Sequence, residues 1–207
     1  MFFTNVRSVG GPENSILFPT YKSAYFIDSY AITLPSIKDT NTDKNTNTDK
    51  NTKTSENNAN EINLELLANI FFNNPPKWFS ILLNMRDKLV SIFGIKTTNY
   101  IKTNANKLGV KTIAFFPVIS NSKNEIVLGE DDKHLDFRAS LLIRPINNGT
   151  DGNTDNNADN ARELIATTVV HCHGLIGKAY LTIIKPFHFL IINYNLSKIP
   201  EILSKID

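Results

Sequence analysis

The sequence predicts an α+β fold: a curved antiparallel sheet wrapped around a long C-terminal helix, with two short helices after the first strand. Three observations predict it. Residues 26–34 alternate as a strand does, and two helical patterns follow them. Extended segments then dominate residues 111–173. The chain closes on residues 175–198, whose apolar positions recur at helical spacing, and a sheet followed by one long apolar helix buries both best by packing them together.

Phe26–Leu34 places Phe26, Tyr30, Ile32 and Leu34 on one side and Ile27, Ser29, Ala31 and Thr33 on the other. Glu61–Phe72 reads as a helix with Ile62, Leu66 and Ile70 about one turn apart. Asn74-Pro75-Pro76 opens a second helix, because proline in a first turn removes only an N–H that has no partner there. That helix carries Trp78, Ile81, Leu82, Met85, Leu89, Ile92 and Phe93 on one stripe, and Gly94 is its stop. Lys111–Ile119, Glu125–Gly129, Leu135–Arg144 and Glu163–His173 are strands, five in all with the first, and 95–107 is a candidate for another. The final helix, 175–198, is about 36 Å long at the α-helical rise. Its Pro186 removes the bond to the Thr182 carbonyl, so a kink is expected there.

Two tracts interrupt this order. In residues 39–60, 13 of 22 positions are Asn or Thr, and Thr40–Asn45 repeats letter for letter as Thr46–Asn51. Residues 147–160 are similarly polar. Neither has the apolar side chains to offset its ordering entropy, so both are expected as disordered surface inserts in a single domain spanning 1–207. Asp151, Asn153 and Asp155 match the start of a calcium loop, but Asn156 and Arg162 stand where Gly and Glu are required, which argues against calcium.

Composition narrows the function. The 207 residues carry 22 Lys and Arg against 20 Asp and Glu, spread along the chain, which gives no reason to expect a nucleic acid partner. A hydrophobic fraction of 41% excludes wholesale disorder. A chain of this length buries roughly 70% of its unfolded surface and needs no disulfide. The single Cys172 suits a reducing compartment, and the first residues lack a leader pattern, so a cytoplasmic location is expected. Leu181–Leu196 is broken by Lys185, Pro186, His188, Asn193 and Asn195 and reads as too short for a membrane span. No Gly-x-Gly-x-x-Gly, P-loop, nucleophile-elbow or paired-cysteine motif is present, so no cofactor or metal is expected.

The hairpin Leu128–Arg138 is the strongest candidate for chemistry. Leu135, Phe137, Ala139, Leu141 and Ile143 point one way along its second strand, while Asp136, Arg138 and Ser140 point the other. With Asp132 and His134 in the turn, a carboxylate beside an imidazole suggests general acid/base work, and Arg138 suits an anion. The competing reading is a polar turn with an exposed ion pair. His171 and His173 share a strand face, with Cys172 opposite, but two imidazoles alone do not complete a zinc site. Lys185 and His188 flank Pro186, where a bend leaves room for a pocket. Lys96, Lys102, Lys107 and Lys111 lie in a stretch without acids, and read as a solvated loop or as attraction for an anionic ligand.

Three stretches carry a family likeness: PPKWFSILLNMRDKLVSIFGIKT (75–97), FPVISNSKNEIVLGEDDKHLDFRASLLI (116–143) and TTVVHCHGLIGKAYLTIIKPFHFLIINYNL (167–196). They resemble the bacterial family called domain of unknown function 2867, most specifically in Leu128–Arg138 and then in Ile184-Lys185-Pro186-Phe187-His188. The element order is similar to the helix-grip fold of the START, polyketide-cyclase and Bet v 1-like (SRPBCC) superfamily, which implies a hydrophobic ligand held between sheet and long helix. Related domains occur fused behind dehydrogenase-like domains, which implies a dehydrogenase-like protein as a partner.

Three functions are therefore expected. The first is binding of a small hydrophobic or amphipathic molecule between the sheet and 175–198, with Trp78, Asp132, His134, Asp136, Arg138, Tyr180, Lys185 and His188 as candidate ligand contacts. The second is a cyclase or isomerase with His134 as acid/base, oriented by Asp136 and assisted by Arg138. The third is an interaction module that docks on a dehydrogenase-like protein.

Overall fold

The computed structural model describes residues 5–35, 63–76, 78–81, 84, 87, 109–114, 116–146 and 161–205. Both inserts and most of the helix expected over 78–93 lie outside them, as does the candidate strand at 95–107; residues 79–81 are helical.

Among the described residues, seven strands form one antiparallel, curved sheet. In chain order they are β1 (Arg7–Ser8), β2 (Phe26–Thr33), β3 (Thr112–Ile113), β4 (Phe116–Asn121), β5 (Glu125–Asp131), β6 (Leu135–Pro145) and β7 (Arg162–Cys172). A 3-10 turn, Phe18–Ser23, precedes β2, and helix α1 (Leu64–Asn73) follows it. Helix α2 (Leu175–Leu203) closes the chain. The sheet order is β1-β2-β7-β6-β5-β4-β3, so the first long strand joins the last one, and α2 lies across one face in a helix-grip layout.

Alternation decides which face is which. Ile32, Leu128, Leu141 and Leu164 meet α1 and the second half of α2 (Ile192, Leu196, Ile199) in the main core. This is the inner face. The odd-numbered residues of β6 lie on it, so Asp136, Arg138 and Ser140 lie on the outer face. The outer face is covered over its middle by the N-terminal segment. Leu17, with Tyr21 beside it, packs on Val127 and Val169, and Val9 packs on Leu142 and Ile165.

Several boundaries differ from the sequence expectation. The expected strand 111–119 is two strands, because Ala114 turns the chain at a positive φ of 56°. A register shift between Val118 and Ser120 adds a bulge to β4. Helix α1 begins at Leu64 because the Asn63 side chain accepts from the N–H groups of Glu65 and Leu66. It buries the stripe Leu64, Leu67, Ala68 and Phe71, leaving Leu66 exposed. Helix α2 runs on through Pro186 and Pro200 to Leu203, and is long and apolar enough, by length and composition, to cross a membrane. The apolar helix is thus longer than the stretch Leu181–Leu196.

Candidate functional site

The inner face is largely apolar; its polar side chains include Asp28 and Thr168 in one row and Glu130, opposite Phe137, in the next. Asp28 on β2 stands opposite Thr168 on β7, and Thr168 stands opposite Ala139 on β6. Asp28 is there because β2 alternates: it takes the same side as Phe26, Tyr30 and Ile32. His188 reaches it from α2, where Leu181, His188 and Ile192 follow a sheet-facing stripe. The His188 Nε2 lies 3.3 Å from the Asp28 Oδ1, and the two side chains are 22% and 14% exposed. Burial pushes the Tyr30 phenol above its ordinary value, and the Asp28 carboxylate, which accepts its hydrogen bond, pushes it the same way.

Rings surround this pair. Phe26 lies edge-on to His188, Phe189 is edge-on to Tyr30, and Phe137 meets Phe116 at 5.3 Å between centroids. Lys185 places its ammonium 4.6 Å over the Phe26 ring. Phe137 and Ala139 are only half-buried although β6 is the middle strand of the sheet, so α2 does not fully cover the inner face there. A His–Asp–Tyr hydrogen-bonding group beside a partly open, aromatic-lined surface can hold the polar end of an apolar molecule.

The hairpin residues are arranged differently. Asp136, on the outer face, accepts from the Asp132 N–H at 3.2 Å and meets the Nε2 of His173 at 2.8 Å. Arg138 pairs with Asp131 at 2.6 Å and also donates to the Phe137 carbonyl. It lies across Gly129, where a Cβ would come within 2.7 Å of its Cδ. The His134 carbonyl accepts from the His173 N–H at 2.9 Å and faces Gly177 of α2, where an added Cβ would sit 2.1 Å away. His171 bonds Ser23 at 3.2 Å. Cys172 points inward among Leu135, Val170 and Leu181, and burial raises its thiol against the opposing effect of Lys178.

Of the sequence candidates, Lys185 and His188 meet at Phe26 beside the inner-face site. Tyr180 packs on the cluster of Leu135, Val170 and Leu181. Asp136 and Arg138 face the other side of the sheet. Trp78 sits partly exposed where a helical turn begins. Among the described residues no three of His, Cys, Asp and Glu are placed to hold a metal ion.

The family described as protein of unknown function (DUF2867) matches residues 20–194, most of the chain. The chain belongs to that family. No curated protein and no solved structure matches it. The matched span of this DUF2867 chain runs from the 3-10 turn to the middle of α2 and takes in Asp28, Tyr30 and His188. Asp28 and Tyr30 were missed by sequence reasoning as site residues. The signal was present: a carboxylate stands in the middle of an apolar strand face.

Two further acids escaped notice because their partners are remote. Glu125, 2% exposed, accepts from Ser15 Oγ at 2.6 Å, from the Ile16 N–H at 2.7 Å and from Ser140 Oγ. Glu163 is held between Arg7 and Arg144. These two acids fasten the N-terminal segment to the outer face.

Proposed function

We propose that this DUF2867 chain binds a small amphipathic molecule between the inner face of the sheet and α2. The apolar body of the ligand rests on Phe26, Phe137 and Tyr30, and its polar end is held by Asp28 and His188. One observation carries the reading: a His–Asp pair on the apolar inner face, beside half-buried Phe137 and Ala139. Polar groups at such a position cost stability unless they are satisfied, and this pair has donor and acceptor capacity beyond its mutual bond and the bond Asp28 accepts from Tyr30. Lys185, over Phe26, gives an anionic end group a counter-charge. The likeness of element order to helix-grip ligand binders points the same way. An acid/base role for His134 and Asp136 is less well supported, because Asp136 serves His173 on the opposite face.

Native mass spectrometry of the gently purified full chain tests this. Excess mass that leaves on denaturation is expected, and Asp28→Asn with His188→Phe should abolish it. A bare mass that no medium-chain fatty acid or phenolic amphiphile increases would overturn the proposal.

A further inference from the structure

Helix α2 is apolar on both sides, but among the described residues it packs on only one. Gly177, Leu181, Ile192, Leu196 and Ile199 face the sheet. The opposite stripe holds Ile176, Ala179, Ile183 and Leu190, with Ile183 48% and Leu190 41% exposed, and Leu175 at the helix start is 84% exposed. A helix packed on one face ordinarily carries polar residues on the other. From Leu175 to Ile199 there is no Asp or Glu; the charges are Lys178, Lys185 and Lys198. Lys178 lies 5.0 Å over the exposed ring of Tyr25, so a cation and a ring stand beside the start of the stripe.

We propose that this half of α2 docks on an anionic phospholipid surface. Ile176, Ile183 and Leu190 enter the boundary between headgroups and acyl chains, Lys178 pairs with a headgroup phosphate, and Tyr25 lies at headgroup level. The helix lies in the plane of the surface, since its other face is committed to the sheet. Charge selects this occupant over a second copy of the chain. A paired α2 would bring lysines together with no acid on the helix between 175 and 199 to answer them.

Flotation of the full chain with vesicles of phosphatidylcholine alone, and of equimolar phosphatidylcholine and phosphatidylglycerol, tests the proposal. Binding is expected to the mixed vesicles and to weaken as salt rises. Lys178→Glu should lower the partition coefficient about fivefold or more, and Ile183→Asp about tenfold. Both side chains are exposed, so both variants should melt with the native protein; if Ile183→Asp does not fold, Ile183→Ser and Lys178→Glu carry the test. Failure to float with the mixed vesicles would overturn the proposal, as would binding that neither substitution changes. A concentration-dependent dimer that Ile183→Ser dissolves would also overturn it and assign the stripe to a second copy.

Discussion

Glu125 shows how one side chain can organise a face of the protein. Its carboxylate gathers Ser15, Ser140 and the Ile16 N–H, so shortening it leaves three buried groups short of a partner. Glu125→Ala should cost about 3 kcal/mol, read as a lower urea midpoint with an unchanged slope. Cys172 offers a check on burial. Its raised thiol is less ionised than a free cysteine near pH 8, so iodoacetamide should alkylate it more slowly there, and the rates should converge only at higher pH. That Asp136 and Arg138 point away from Phe137 was legible in the sequence, because strand alternation separates two faces, but which of the two is turned toward α2 was not. The partners of Glu125 were not legible. Ser15 is 110 positions away, on a segment with no periodicity to announce where it packs.

Among elements, α2 carries the most information. Its helical spacing was readable from Ile176 to Tyr194, and its final turn was not, because Pro200 resembles a stop. The structure extends it instead, and Lys198 and Lys205 bond Glu201 there. Those bonds hold the Glu201 carboxyl down at about 2. A depressed acid stabilises above its ordinary value of 4.5 and loses that contribution as pH falls through about 2. The last turn should therefore fray across that window, seen as faster amide exchange over 199–205, while Glu201→Gln should fray it already at neutral pH. At the other end, α2 approaches the β5–β6 turn at a position only glycine fits. Gly177→Ala forces helix and hairpin apart and should cost about 1–3 kcal/mol by thermal or urea unfolding. Residue spacing alone offers no hint of this contact, because one glycine in an apolar helix reads only as a weak point.

At the scale of the molecule, the sheet has two covered faces, one under α1 and α2 and one under the N-terminal segment. The α+β order and the wrap around α2 were legible in the run of elements. The second cover was not, since residues 7–23 show neither strand nor helix periodicity and hold their place through Arg7, Leu17 and the acids beneath them. Removing residues 1–22 should expose Val127 and Val169 and leave Glu125 and Glu163 without these partners. The shortened chain should bind a hydrophobic dye and lose its cooperative thermal transition, whereas a sharp transition near the native temperature would show the cover to be dispensable. The pairing of β2 with β7 also has a consequence in time. Phe26 faces Val170, so β2 leaves the ribosome on the order of ten seconds before its partner exists. Throughout that interval it is an unpaired apolar strand of the kind that recruits other nascent chains. Asp28 sits at its centre and places a charge in any premature pairing, so the residue that serves the finished interior also guards the unfinished one.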